Sequence, residues 1–306
     1  MIIPTALLGK GYWGSILKRY LEENKNFDLR YILNSKSTLS EALNDGEIKA
    51  VVVASPNETH YPMVKTALLS GKHVLSEKPL AMKESECREL KEIAHQNKLS
   101  LVTEYTQTFS PSLEKALNML QKGTIGDLLC VEMSVRHLGR FGGGSVYWLL
   151  ASHMLSVLDM FVSLDQLSFE SNNLVTYGGE IETGVISFSG GTISGQIVVS
   201  LNYPGKETRI ILYGEHGTII YDPVSQPALS LNRYQRKKWT VASLLPQKNE
   251  VFQIDESHNL RYAVEYFHRA IRGEMRDNID RAVKITAILE NLEGKGKYRF
   301  KNDRKP

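Results

Sequence analysis

Short apolar runs alternate with helical patterns over the first 105 residues of the chain. Residues 50–54 form a continuous, mostly β-branched run, as expected of a strand that is covered on both faces. Residues 12–24 instead place apolar side chains at helical spacing. Further strands are predicted at 2–8, 27–33, 73–75 and 99–103, and further helices at 58–69 and 83–97. This alternation predicts an α/β domain built on a doubly wound parallel sheet.

The pattern changes after residue 111. A helix is predicted at 112–122, a strand at 128–137 and another helix from about residue 146. From 167 to about 221, turn residues separate short strands, which is typical of an antiparallel sheet. Two helices close the chain, at 257–272 and 278–292. We therefore predict two domains, at residues 1–120 and 121–306, the second being an α+β domain on a largely antiparallel sheet.

Composition narrows the class of protein. The chain has 306 residues, of which 42% are hydrophobic and 23% charged, as in an ordinary globular protein of two domains. Cys87 and Cys130 are the only cysteines, which excludes a disulfide framework and favours a reducing, cytoplasmic location. No group of cysteines and histidines has the spacing of a zinc site, so no metal is expected.

The charge distribution disfavours a nucleic-acid partner. The net charge is +3, but the last 13 residues hold six basic side chains and one acidic one, so the remaining chain is slightly acidic. A membrane partner is also disfavoured, because the most apolar long stretch, residues 146–162, contains His153 and Asp159 and is predicted to be a buried helix. The N-terminus lacks the basic start of a signal peptide.

A G-x-G-x-x-G motif lies between the first predicted strand and the first predicted helix. In a dinucleotide-binding turn of this kind, Gly9 permits the tight turn, Gly11 lets the backbone approach a pyrophosphate, and Gly14 packs the helix on the strand. The helix N-terminus would offer amide groups to the phosphates. We therefore expect the turn, including Tyr12 and Trp13, to bind a dinucleotide; the alternative is a glycine-rich turn without a ligand.

The residues after the second predicted strand bear on the choice of dinucleotide. NAD-binding proteins place an Asp or Glu there to hold the ribose hydroxyl groups. This chain has Asn34, Ser35, Lys36 and Ser37 instead, with no carboxylate to repel a 2′-phosphate and with side chains that can bind one. The sequence favours NADP(H) over NAD(H); the alternative is a polar loop in which Lys36 is merely solvated.

Two further motifs follow the third and fourth predicted strands. The first, P-N-E-T-H at residues 56–60, comes directly after Ser55, and the second, G-K-H-V-L-S-E-K-P, ends at Pro79. Together with the glycine motif, they resemble the glucose–fructose oxidoreductase / inositol dehydrogenase / MocA (Gfo/Idh/MocA) family of NAD(P)-dependent oxidoreductases. The resemblance extends over nearly the whole chain through residues 109–111, 123–126 and 213–218.

The resemblance implies a Rossmann domain followed by a domain on a largely antiparallel sheet, whose open face commonly makes oligomer contacts. A homo-oligomer, either a dimer or a tetramer, is therefore expected. Cofactor contacts are implied for Ser55, Pro56, Asn57, His60, Glu77, Lys78 and Pro79. Lys78 would lie near the nicotinamide and the substrate, Glu77 and Pro79 would shape its loop, and the Lys78–Pro79 bond is a candidate cis peptide.

A lysine at that position has a chemical rationale. Hydride transfer to a carbonyl or imine builds charge on the heteroatom, which an ammonium group stabilises or protonates. Without the resemblance, Lys78 would be interpreted as an ordinary surface lysine. The resemblance makes it the first candidate for a catalytic residue.

The chain departs from the family on the helix that enters the second domain. Members usually carry D-x-G-x-H there, whereas this chain has Leu149, Ala151 and His153. His153 therefore lacks a carboxylate four residues before it that would fix its tautomer. It is a candidate general acid or base, or else a hydrogen-bonded structural histidine.

Other residues are candidates for substrate contacts. Residues 105–109, which begin with Tyr105, replace an Asn/Arg-rich stretch of the family. Arg136 could hold an anionic group of a substrate, and Tyr147 and Trp148 could line a pocket. The alternatives are a solvated strand end for Arg136 and a core position for the two aromatic residues.

These observations predict an NADP(H)-dependent oxidoreductase. It would transfer a hydride between the nicotinamide and a carbonyl, imine or secondary alcohol of a small, sugar-related or anionic substrate. One alternative is a catalytically silent NADP(H)-binding sensor or regulatory protein. Another is a sugar or polyol dehydrogenase with an altered Lys/Asp/His triad.

Overall fold

The computed structural model describes residues 2–34, 39–139, 144–236 and 244–300, which form two compact units. The first unit comprises Met1–Thr106 and His258–Glu290, and the second comprises Gln107–Ser257 and Asn291–Pro306. None of the helices in these ranges combines the length and the apolar character that a membrane span needs.

The first unit contains a five-stranded parallel sheet in the order β2-β1-β3-β4-β5. Its strands are β1 (Ile3–Leu8), β2 (Phe27–Leu33), β3 (Ala50–Val53), β4 (His73–Glu77) and β5 (Leu101–Glu104). The intervening helices are α1 (Tyr12–Glu23), α2 (Leu39–Asn44), α3 (Asn57–Leu69) and α4 (Glu84–Gln96). Every residue of β3 is buried, as its continuous apolar sequence requires. The predicted doubly wound parallel sheet is confirmed.

Strand β4 continues two residues beyond its predicted end. The extension adds Ser76 and Glu77 to the sheet and pairs Glu77 with Glu104 on β5. The sequence predicted a shorter strand because its apolar pattern stops at Leu75. A polar pair is thereby placed at the carboxyl end of the sheet.

The second unit contains a nine-stranded sheet within the described residues, in the order β13-β12-β11-β10-β6-β9-β8-β7-β14. All neighbouring strands in it are antiparallel except β6 and β9. Helices α5 (Pro111–Gln121) and α6 (Ser152–Phe161) also belong to this unit. The strands are β6 (Leu128–Leu138), β7 (Ser168–Tyr177), β8 (Glu180–Gly190), β9 (Ile193–Ser200), β10 (Asn202–Gly214), β11 (Gly217–Tyr221), β12 (Leu229–Arg236), β13 (Leu244–Phe252) and β14 (Lys297–Arg299). The predicted largely antiparallel sheet is confirmed, and β12, β13 and β14 extend it beyond the predicted stretch.

A π-helical turn, Tyr147–Ala151, precedes α6. The sequence pattern predicted one continuous α-helix from about residue 146. In an α-helix, Leu149 and His153 would share a face because they are four residues apart. The wider π turn changes that relation, and such turns are frequent at functional sites.

The last two helices correct the predicted domain boundaries. Helix α7 (Asn259–Ile271), together with α8 (Ile279–Lys295) as far as Glu290, belongs to the first unit rather than to a domain spanning 121–306. Phe267 of α7 stacks on Phe27 of β2 with ring centroids 6.0 Å apart, in a core that includes Leu17 of α1. The apolar stripe of α7 packs on that core. The chain thus returns to the first unit after building most of the second, which a division of the sequence into two consecutive segments cannot show.

The segment before α8 also covers the free edge of β5. The Asn278 side chain accepts a hydrogen bond from the Thr103 amide and donates one to the Thr103 carbonyl oxygen, each at 2.8 Å. An amide side chain thereby satisfies two backbone groups that an edge strand leaves unpaired. This contact fixes the strand that ends at Glu104.

Candidate functional site

The candidate site of the first unit lies at the carboxyl ends of its strands. The glycine turn follows β1, residues 54–57 follow β3, the Lys78–Pro79 loop follows β4, and Glu104 ends β5. Because neighbouring parallel strands bring their carboxyl ends to one edge, these segments share that edge of the sheet. Ligands of open α/β sheets bind there.

The three glycines of the turn have different surroundings. A Cβ at Gly9, whose φ is 120°, would lie 2.0 Å from the carbonyl oxygen of Ala54, and a Cβ at Gly14 would lie 2.1 Å from that of Gly9. A Cβ at Gly11 would meet no described atom within 4 Å. Gly9 and Gly14 therefore permit close backbone packing, while Gly11 presents bare backbone to open space. These are the roles expected from the motif.

The N-terminus of α1 fits an anionic ligand. Gly11 is the N-cap, none of the described side chains caps it, and the first turn holds no acidic residue. Tyr12 and Trp13 are 58% and 43% exposed, with their rings edge to face at 5.2 Å. The helix dipole and the first-turn amides favour negative charge at this point. The residues present thus suit the pyrophosphate of a dinucleotide.

His60 connects two of the segments at this edge. It is 1% exposed, and its Nδ1 and Nε2 atoms lie 2.7 Å and 2.8 Å from the carbonyl oxygens of Pro79 and Ser55. Burial lowers the pKa of the imidazole, although both carbonyl contacts oppose the shift. The sequence assigned His60 to the cofactor, whereas its ring nitrogens are engaged by the backbone. His60 is therefore a positioning residue for the two loops.

The loop after β3 lies beside the glycine turn. Ser55 and Asn57 are half-buried, and Pro56 is exposed. The Thr59 hydroxyl lies 2.6 Å from that of Ser55 and 2.7 Å from the carbonyl oxygen of Pro56, which fixes the start of α3. These positions remain available for the predicted cofactor contacts.

Lys78 follows the last residue of β4, and its peptide bond to Pro79 is cis, as expected. The side chain is half-buried, and Glu77 before it is buried. Burial lowers the pKa of the Lys78 ammonium, and the negative charges of Glu77 and Glu104 oppose that shift. A lysine in such surroundings can give up its proton more readily than one on the surface.

Glu104 is a candidate functional residue that the sequence analysis missed. It is 1% exposed, and its Oε2 accepts a hydrogen bond from the Thr106 hydroxyl at 2.9 Å. Burial and the charge of Glu77 raise its pKa well above the ordinary value. The predicted strand ended one residue earlier, at 103; an acidic residue directly after an apolar strand was the signal available.

The aromatic substrate candidates are core residues. Tyr105 is 1% exposed, Tyr147 is fully buried with its hydroxyl donating to Asn173 Oδ1 at 2.7 Å, and Trp148 donates from Nε1 to Glu293 Oε2 at 2.8 Å. The alternative reading of Tyr147 and Trp148, a core position, describes them correctly. Large aromatic rings contribute strongly to a core, and the polar groups of buried Tyr and Trp side chains usually find a hydrogen-bond partner there, as they do here.

The remaining candidates have separate surroundings. Arg136 on β6 is half-buried, with Nε 3.3 Å from Glu207 Oε1 and its guanidinium 5.7 Å from the Tyr203 ring centroid. Its charge is therefore already balanced within the second unit. His153 is half-buried near the start of α6. In the first unit, Asn34 is exposed after β2, while Ser35 and Lys36 lie outside the described residues.

Comparisons with known proteins agree with this architecture. The model of the GFO_IDH_MocA family, described as an oxidoreductase family with an NAD-binding Rossmann fold, matches residues 13–105. An uncharacterized oxidoreductase of Synechocystis sp. is 28% identical over 233 residues, which cover 67% of this chain and 62% of that protein. Inositol 2-dehydrogenase 1 of Saccharopolyspora erythraea is 28% identical over 192 residues, which cover 58% of this chain and 56% of that protein. The aligned parts thus span less than two thirds of either relative.

A solved structure resembles nearly the whole chain. The crystal structure of GenD2 from gentamicin A biosynthesis in complex with NAD has a TM-score of 0.79 and 20% sequence identity. It covers 94% of this chain and 92% of that one. The likeness shows a shared fold.

The glycine turn gives a prediction about stability. Gly14→Ala is expected to lower the free energy of unfolding by about 1–3 kcal/mol, because its methyl group would overlap the Gly9 carbonyl oxygen. Gly11→Ala, whose methyl group would enter open space, is expected to stay within about 0.5 kcal/mol of the wild type. Urea unfolding of both variants measures the difference. Equal losses in the two would contradict the assigned roles.

The buried carboxyl groups predict a pH dependence of stability. The pKa values of Glu77 and Glu104 are raised in the folded state, so folding retains a proton that the unfolded chain releases above the ordinary value of 4.5. Their contribution is present below that value and is lost as the pH rises through the raised values. Relative to Glu104→Gln, the wild type should lose up to about 1.4 kcal/mol per pH unit in that window. The measurement is the free energy of unfolding of both proteins from about pH 5 to pH 8. An equal dependence on pH in the two proteins would contradict this prediction.

Proposed function

We propose that this chain is a nicotinamide-dependent oxidoreductase of the Gfo/Idh/MocA family, because the model of that family, which has an NAD-binding Rossmann fold, matches residues 13–105. It transfers a hydride between the dinucleotide and a carbonyl, imine or secondary alcohol carbon of a small substrate. One observation carries the proposal. The open backbone at Gly11 and the Lys78 loop share one sheet edge, and His60 bonds that loop to the residues beside the glycine turn.

Each segment has its own part in the reaction. The bound dinucleotide supplies or accepts the hydride. The turn at Gly9, Gly11 and Gly14 holds the pyrophosphate through backbone amides, and residues 55–57 hold the adjoining part of the cofactor. Lys78 donates a proton to the substrate heteroatom during reduction and, as a neutral amine, accepts one during oxidation.

Lys78 gives the direct test of the chemistry. Lys78→Met is expected to lower turnover at least about hundredfold, because it removes the proton donor, while dissociation constants for the cofactor change little. Lys18→Met, at a position on α1 where the side chain is 43% exposed, is the matched control and should keep full activity. The measurement is oxidation of the reduced cofactor with a panel of ketoses, inosose-type ketones and imines, and the reverse reaction with polyols.

Two outcomes would contradict the proposed function. Full turnover by Lys78→Met would remove Lys78 from the chemistry. Cofactor binding without turnover on any member of the panel would favour the catalytically silent binding protein instead.

We propose NADP(H) as the preferred cofactor. Support comes from the sequence Asn34, Ser35, Lys36, Ser37 after β2, where no carboxylate opposes a 2′-phosphate. NADPH is expected to bind at least about tenfold more tightly than NADH, and Lys36→Ala should remove most of that difference. Paired fluorescence titrations measure it; a preference for NADH in the wild type would overturn the choice of cofactor alone.

We propose a sugar-related or polyol substrate. The relative from Saccharopolyspora erythraea is named an inositol 2-dehydrogenase, and a polyol offers the secondary alcohol that this chemistry requires. The polyol and ketose arms of the substrate panel test this choice. Turnover of imines alone would contradict it.

We also propose a homo-oligomer that forms through one face of the nine-stranded sheet, namely the face on which Glu132, Gln196 and Ser187 are neighbours. A depression of about 610 Å³ lies on that face, and Glu132, Gln196 and Ser187 are among the residues that line it. Analytical ultracentrifugation should find a dimer or tetramer, and Gln196→Arg should weaken it by placing a charge at the interface. A monomeric wild type would contradict the proposal.

A further inference from the structure

Two buried glutamate residues lie on neighbouring strands, one of them directly before Lys78. Glu77 ends β4, Glu104 ends β5, and the two residues are register partners in the parallel sheet. Side chains at paired positions of neighbouring strands project from the same face. Glu77 is 7% exposed and Glu104 is 1% exposed, so neither carboxyl group is solvated as an isolated ion would need.

The hydrogen bonds around the pair leave one oxygen of each carboxyl group without a partner among the described residues. Glu104 Oε2 accepts from the Thr106 hydroxyl, whereas the buried Oε1 atoms of Glu77 and of Glu104 have no hydrogen-bond partner within the described chain. Two ionised carboxylates cannot satisfy each other, because each only accepts. A single proton between them turns the pair into a donor and an acceptor, joined by a charge-assisted hydrogen bond.

The charges around the pair lead to the same proton count. The charged group that acts on both carboxyl groups is Lys78, and His60 on α3, whose pKa burial lowers, interacts with Lys78. With one proton, the pair and Lys78 together are neutral. With none, the pair and Lys78 together carry a net negative charge, and with two, they carry a net positive charge. A buried cluster is least costly when it is neutral and hydrogen-bonded.

We propose that Glu77 and Glu104 share one proton and, as a singly charged pair, hold Lys78 in place as an ammonium ion. Glu104 is thus a positioning residue that acts through Glu77 and Lys78. The catalytic consequence rests on the proposed function, in which Lys78 is the proton donor. The shared proton and the charge state of Lys78 are properties of the protein alone.

Infrared spectroscopy of the protein without substrate or cofactor tests the shared proton. At pH 7, wild-type protein labelled with ¹³C at the glutamate carboxyl should show a protonated-carboxyl band that shifts with the label. Glu104→Gln and Glu77→Gln should each abolish the band, because a glutamine side chain donates the hydrogen bond and leaves the remaining carboxylate ionised. Glu92→Gln, at an exposed position on α4, is the matched control and should leave the band unchanged.

The reactivity of the Lys78 amine tests the second half of the proposal. Acetylation by acetic anhydride, read by mass spectrometry of the peptide, reports the neutral fraction of the amine. Each single variant retains one negative charge, so labelling of Lys78 at pH 7 should stay within about threefold of the wild type. The double variant Glu77→Gln/Glu104→Gln removes that charge, so labelling should rise at least about tenfold.

Two outcomes would overturn the proposal. A wild type without the protonated band at pH 7 would overturn the proposal even if no variant folds. A rise in Lys78 labelling in either single variant that equals the rise in the double variant would overturn it too, since it means that the remaining carboxyl group does not take over the negative charge. Because neither readout needs turnover, failure of the proposed function would leave these results unchanged.

Discussion

The site depends on the close approach of three stretches of backbone. The carbonyl oxygen of Ala54 lies where a side chain at Gly9 would have to be, and the carbonyl oxygen of Gly9 lies where one at Gly14 would be. The start of α1 can therefore reach the carboxyl ends of β1 and β3 only with glycine at both positions. That packing aims the N-terminus of α1 at the edge of the sheet and leaves Gly11 without a close neighbour among the described residues.

The rest of the edge is organised around the same contact. His60 spans from the Ser55 carbonyl oxygen to that of Pro79, which brings the loop after β4 into register with the loop after β3. Asn278 covers the outer side of β5 and so fixes the strand that carries Glu104. Buried polar groups specify an arrangement when they are satisfied and cost stability when they are not. The shared proton proposed for Glu77 and Glu104 would satisfy two such buried groups.

The sequence predicted those parts whose local chemistry is distinctive. The glycine turn and the cis Lys78–Pro79 bond follow from short motifs, and the strands that bear them follow from continuous apolar runs. Glu104 was missed because its significance comes from Glu77, 27 positions earlier, and only the sheet register joins the two. The same limit applies to α7, which packs on Phe27 and Leu17, and to α8, whose Thr286 contacts Cys87 of α4. Tyr147 and Trp148 show the converse, because the sequence pattern of an apolar helix is the same whether the helix lines a pocket or packs in a core.

Hydrogen–deuterium exchange with and without saturating NADPH tests whether these strand ends form one dinucleotide site. Peptides covering residues 9–14, 54–60 and 77–80 are expected to become protected together, because one ligand would lie along the strand ends that carry them. Protection that omits the glycine turn, or that is confined to peptides of the second unit, would contradict it.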